Sequence, residues 1–69
     1  MTQREMVRWH LENIGELDPM TALREYGIMR LSARISELKD EGMNIETEYR
    51  TVRNRFGKLV AHAVYKVAA

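Results

Sequence analysis

Between Gly27 and Gly42 the chain reads GIMRLSARISELKDEG, and this stretch limits the fold more than any other. Ile28, Leu31, Ile35 and Leu38 recur at intervals of three, four and three, which places them on one stripe of an α-helix. A second helical pattern, PMTALREY, ends directly before Gly27. Two helices joined by so tight a glycine turn meet at a steep angle, the helix-turn-helix arrangement. Directly after Gly42 the apolar period falls from helical to alternating. Ile45, Thr47, Tyr49 and Thr51 share one face, and Glu46, Glu48 and Arg50 take the other.

The segments around this stretch supply their own boundaries. Thr2 followed by Glu5 has the spacing of a capping box, so a first helix starts there. Met6, Val7, His10, Leu11 and Ile14 form its apolar stripe, Trp9 lies off it, and Gly15 ends it. Asp18 is a suitable N-cap and Pro19 suits the first position of a second helix, with Met20, Leu23 and Tyr26 as its expected inner face. Helices are expected at about 3–14, 19–26 and 29–41, and hairpin strands at about 44–54 and 58–67.

The hairpin register follows from the faces. A four-residue loop mixes polar and apolar sets. A three-residue loop, Arg55-Phe56-Gly57, sets Ile45 opposite Val67, Thr47 opposite Tyr65 and Tyr49 opposite Ala63. It also pairs Glu46 with Lys66 across the strands and places Gly57 where such loops favour a left-handed residue. Phe56 is expected as a lid on the hairpin base, with base stacking as the lesser alternative.

Sixty-nine residues make one domain, which buries only about 60% of its unfolded surface and needs an efficient core. There is no cysteine, hence no disulfide and no cysteine zinc site. His10 and His62 share no metal-ligand spacing with a carboxylate, so neither a metal nor another cofactor is expected. No membrane span or signal peptide is evident, and a cytoplasmic protein is expected. No nucleophile stands beside a base and there is too little chain for a pocket, so an enzyme is not expected. The net charge of +1 conceals a division. Residues 1–48 carry a balance of −4, whereas residues 49–69 hold five basic residues and no acid.

Three helices, the last two meeting at a sharp turn, followed by a hairpin with a basic tip, are the order of a winged helix-turn-helix: mainly α with a small β-hairpin. Leu17 is the expected single strand residue between the first two helices. The third helix is then the candidate reader of a DNA major groove. Its side opposite the apolar stripe carries Met29, Arg30, Ala33, Arg34, Ser36 and Glu37. Arg30 or Arg34 can fork onto guanine, and Glu37 can accept from cytosine. Ala33 and Ser36 let the helix sit close. Arg53, Asn54, Arg55 and Lys58 surround the hairpin tip, with Arg50 further back, and can grip phosphates or reach a minor groove. Three to five such contacts give log K a slope of roughly −3 to −4.5 against log salt, so one copy binds weakly and a homodimer or side-by-side copies are expected. Two plainer readings compete. Arg34 can pair with Glu37, Asp40 or Glu41 on its own helix, and a basic tip can serve only to discourage edge aggregation.

The segments TQRE, ALREYGIMRLSARISELKDEGMNIETE and NRFG, with Tyr65 near the end, resemble the small helix-turn-helix domain common in tailed phages and bacterial prophages. GIMRLSARISEL is the specific part, and the resemblance covers nearly the whole chain. It implies a winged-helix protein that binds double-stranded DNA as a transcriptional regulator or recombination accessory factor, with Arg30 and Arg34 in the recognition helix. The chain departs from that family at AHAVY, where the resemblance calls for an arginine-rich final strand, so DNA contacts from that strand are not expected. The alternative function is a winged module that binds another protein and no DNA, with the acidic body as its docking face.

Overall fold

The computed structural model describes residues 1–68. It contains helices α1 (Gln3–Asn13), α2 (Pro19–Tyr26) and α3 (Leu31–Asp40), then strands β1 (Ile45–Arg53) and β2 (Leu59–Val67). Two helices begin at residues that cap them. Thr2 Oγ1 accepts from the Glu5 N–H at 3.1 Å, and Glu5 Oε1 accepts from the Thr2 N–H at 2.8 Å, completing the capping box. Asp18 Oδ1 accepts from the Thr21 N–H at 2.7 Å, with Pro19 in the first turn where its missing N–H costs nothing. α3 starts two residues later than the sequence suggests. Arg30 is its N-cap and makes no side-chain capping bond, so the turn after Gly27 takes up Met29 and Arg30.

The Asp18 cap makes a pH-dependent contribution. The Thr21 N–H, which binds the ionised form, holds the carboxyl below its ordinary value of 3.8. A depressed folded-state pKa adds stability above the unfolded value and loses it as pH falls through the folded value. Asp18→Ala is therefore expected to cost about 1 kcal/mol at neutral pH. The gap from wild type should close as pH falls below the ordinary carboxylate range, as followed by urea unfolding at several pH values.

Gly27 closes α2 in the left-handed region, at φ +69°, with its N–H donating to Leu23 O at 2.9 Å. Ile28 then donates to Ala22 O at 3.1 Å and turns its side chain fully inward. The core is Val7, Leu11, Leu17, Ala22, Ile28, Leu31, Ile35, Leu38 and Ile45, with Met6, Tyr26, Met43 and Tyr65 packed around it. His10 is the buried polar side chain. Its Nε2 lies 2.9 Å from Glu16 O and its Nδ1 2.6 Å from the Tyr26 hydroxyl. A carbonyl can only accept, so Nε2 donates to Glu16 O, and in the neutral imidazole Nδ1 accepts from Tyr26; the two bonds tie α1 to α2 and to the loop between them.

Three apolar expectations are corrected. Ile14 is exposed, because α1 ends at Asn13 and Leu17 fills that end of the core instead. Met20 and Leu23 are also exposed, and Ala22 is the inward residue of α2, with Tyr26 one turn on. Steps of three slide about 60° around a helix each time, so positions 20, 23 and 26 spread over 120° and only Tyr26 reaches the core. Phe56 covers nothing: it is 90% exposed.

The strands pair antiparallel with Ile45 opposite Val67, Thr47 opposite Tyr65 and Tyr49 opposite Ala63, leaving Arg55, Phe56 and Gly57 beyond the ladder and its closing bond at Asn54 and Lys58. Leu17 forms an isolated bridge to Tyr65, exchanging both backbone bonds at 2.9 Å. That bridge fastens the base of the hairpin to the helices. Val64 is buried there on the face opposite Ile45, and every residue of β1 after Ile45 is exposed. The apolar face expected along the whole hairpin is therefore confined to its base. Beyond it the two strands form a projecting ribbon, in a molecule 39 Å long and 25 × 20 Å across. Glu46 and Lys66 stand opposite each other in register, but among the described residues the ion pairs form elsewhere.

Candidate nucleic-acid interface

α3 buries Leu31, Ile35 and Leu38, and exposes Ser32, Ser36, Lys39 and Asp40. Ala33, Arg34 and Glu37 are half-buried between these faces. Arg34 leans toward α1. Its Nη1 donates to Gln3 Oε1 at 3.3 Å, and its Nη2 donates to Glu37 Oε2 at 3.3 Å. Its Nε lies 2.9 Å from Glu37 Oε1, a charge contact without the direction of a hydrogen bond. Arg34 and Glu37 thus occupy each other, the pairing that the plainer reading of the sequence describes. Further along the same flank, Glu41 receives Arg4 at 3.0 Å and Arg8 at 2.8 Å, which joins the end of α3 to α1.

Arg30 differs from Arg34. It is exposed at the N-cap and, among the described residues, makes no ion pair. Because its side chain does not cap α3, the first-turn N–H groups of that helix have no side-chain acceptor, an arrangement that favours an anion. The signal was legible: the residue before Leu31 is not Ser, Thr, Asp or Asn.

The basic residues expected as contacts on the hairpin are in three different states. Arg50 is neutralised by Glu48, whose Oε2 accepts from its Nε at 2.9 Å, and by Glu16 from the loop before α2. That hydrogen bond lowers the Glu48 carboxyl from its ordinary range and raises Arg50 further. Arg53 is half engaged, donating from Nη1 to Gly57 O at 2.7 Å. Arg55 and Lys58 are exposed and make no ion pair among the described residues. Asn54 is structural: its Oδ1 accepts from the Phe56 N–H at 2.9 Å and the Lys58 N–H at 3.0 Å, closing the loop.

A family model described as winged helix-turn-helix domain matches residues 2–68. The chain belongs to that family. In it α2 and α3 form the helix-turn-helix, and β1 and β2 with their loop form the wing. Membership suggests DNA binding. Neither the curated proteins nor the solved structures contain a significant match to this winged domain. Among the described residues, no helix is long and apolar enough to cross a membrane, and no group of His, Cys, Asp and Glu side chains is arranged to hold a metal.

Of the ten expected contact residues, Arg30, Arg55 and Lys58 are exposed without an ion pair, and Ser36 lies on the open side of α3. Arg34, Glu37, Arg50 and Asn54 have partners within the protein, Arg53 keeps part of its guanidinium available, and Ala33 lines the flank. The expected contact set omits Ser32, exposed beside Ser36, and Phe56, which is expected at the hairpin base with base stacking only as the lesser alternative and instead stands at the exposed wing tip. On a helical wheel Ser32 lies near the border of the apolar stripe, so spacing alone does not decide its exposure. Nothing short of coordinates reveals that the wing tip stands clear of the helices.

Proposed function

We propose that this winged domain binds double-stranded DNA in a sequence-dependent manner, as a transcriptional regulator or recombination accessory factor of a phage or prophage acting in the bacterial cytoplasm. α3 enters the major groove through Ser32, Ser36 and Arg30, and the wing follows the backbone. The observation that carries the reading is where three of the exposed cations that make no ion pair among the described residues stand: Arg30 at the start of α3, and Arg55 and Lys58 at the wing tip. Each can take a phosphate without first breaking an internal pair, whereas Arg34 and Arg50 cannot. The resemblance to phage and prophage domains supports the biological setting. So small a set of contacts favours a homodimer or adjacent copies for tight binding.

Arg30, Arg53, Arg55 and Lys58 together imply a slope of log K against log salt of roughly −3.6 on random duplex DNA. Fluorescence anisotropy across a salt series measures it. A folded protein that binds no duplex at low salt would refute the reading. Selection of bound duplexes from a random pool then tests the role: a palindrome supports a dimeric repressor or activator, and tandem motifs support an accessory factor binding side by side.

One observation favours a second reading, a protein-binding module. Pro19 and Met20 of α2 and Val52 and His62 of the wing line an apolar cleft, with Asp18 at its edge. Binding of no nucleic acid, with a normal circular-dichroism spectrum, would favour it.

A further inference from the structure

We propose that Phe56 is an apolar wedge that enters the DNA minor groove from the wing tip and partly opens a base step. This rests on the duplex-binding reading above and adds a residue that reads deformability. Phe56 is 90% exposed, more so than any other large apolar side chain among the described residues. The loop does not need a phenylalanine there. Gly57 supplies the left-handed residue at φ +78°, and Asn54 supplies the side chain that closes the turn.

The backbone beneath the ring is held firmly. The Phe56 and Lys58 N–H groups both donate to Asn54 Oδ1, Gly57 N–H donates to Asn54 O at 2.9 Å, and Arg53 Nη1 grips Gly57 O. A ring presented on so fixed a loop loses little freedom when it is captured. Its neighbours Arg55 and Lys58 are cations, and the chain has no acidic residue from Tyr49 onward. An apolar ring between unpaired cations complements anionic phosphate rails flanking base pairs whose stacked faces are apolar, the surfaces that duplex DNA offers when a base step opens.

With α3 in the major groove, the groove left beside the wing is the minor one, and its width decides what can enter. At about 6 Å it is too narrow for a two-stranded ribbon, whose strands alone lie about 4.8 Å apart before side chains are added. Only the tip can enter, and Phe56 is the tip's long side chain. Apolar side chains that enter a minor groove part adjacent base pairs, most readily at flexible pyrimidine–purine steps.

The test compares wild type with Phe56→Ala and Phe56→Leu on two duplexes, one with a central TpA step and one with an uninterrupted A-tract. A 2-aminopurine beside the step brightens when it unstacks. Wild type is expected to brighten the probe and to prefer the TpA duplex. Phe56→Ala is expected to bind the TpA duplex about tenfold more weakly and to lose both the signal and the preference. Its salt slope should not change, because no charge is removed. Phe56→Leu, still a wedge, should keep most of the signal.

Equal signals from wild type and Phe56→Ala, with both bound, overturn the wedge and leave the duplex reading standing. Failure of wild type to bind any duplex at low salt overturns both. A smaller DNA-free mass for Phe56→Ala in sedimentation, with its duplex signal intact, also overturns the wedge and reassigns the ring to a contact between copies.

Discussion

Changing Arg30, Arg55 and Lys58 together to alanine is expected to reduce the slope of log K against log salt from roughly −3.6 to about −0.9, leaving Arg53 as the remaining contact. At 0.1 M salt the three lost contacts amount to a few hundredfold in affinity, because each releases close to one counterion. Stability should hardly move. All three side chains are exposed and make no ion pair among the described residues, and surface substitutions of this kind usually stay within about 0.5 kcal/mol. Arg53 is kept because its Nη1 bond to Gly57 O supports the loop, and its loss would mix a structural effect with an electrostatic one. Arg34→Ala is the contrasting variant. Its guanidinium already faces Glu37 and Gln3, so its removal is expected to change duplex affinity within about threefold. Anisotropy titrations of both variants at several salt concentrations decide the matter. A larger loss from Arg34→Ala than from the triple variant would show that the internal pair opens on DNA and that Arg34 is the reader.

That contrast marks where the candidate site ceases to be legible in sequence. Charge and position along the chain identify Arg30, Arg34, Arg50, Arg53, Arg55 and Lys58 as a basic set, but not which of them are already spent. The partners of Arg50 show why. Glu48 lies two residues away on the same face of one strand, a relation that alternation predicts. Glu16 lies in the loop before α2, 34 residues away, and reaches Arg50 only because the Leu17–Tyr65 bridge brings that loop against the hairpin. Arg34 is similar: Glu37 is a helical neighbour, whereas Gln3 comes from the start of α1, 31 residues away in sequence. Local pairings can be read from spacing, and pairings across the fold cannot.

The fold itself is more legible, for the same reason. The capping box at Thr2 and Glu5, the Asp18 cap, the Gly27 turn and the hairpin register each depend on residues close in sequence or on a two-residue period. Even Leu17 can be placed, because it is an isolated apolar residue between two helix boundaries and must be buried by something. What fails is the assignment of apolar residues that have no neighbour to cover them. Ile14, Met20, Leu23, Tyr49 and Phe56 are as apolar as the core, yet a domain of this size has too little interior to enclose them all. Apart from Ile14 at the end of α1, these exposed residues lie on the outer side of α2 and along the wing, away from the stripe where α1 and α3 meet.

The difference between these two apolar populations should be large in stability. Leu38 is fully buried where α3 meets the rest of the core, and Leu38→Ala removes buried methyl groups and leaves a cavity. The expected cost is about 2–5 kcal/mol. A domain of this length has a total stability on the order of 3–10 kcal/mol, so the substitution consumes much of it. With a denaturant dependence of about 1 kcal/mol per molar urea, the unfolding midpoint should fall by about 2 M or more. Leu38→Met, which preserves volume, should cost less than about 1.5 kcal/mol. Met20→Ala removes a side chain of similar size that is 67% exposed, and it is expected to stay within about 0.5 kcal/mol of wild type. Comparable losses from Met20→Ala and Leu38→Ala would mean that α2 turns its Met20 side inward, which would close the cleft beside the wing and undo the separation of core from outer surface on which the placement of α3 and the wing depends.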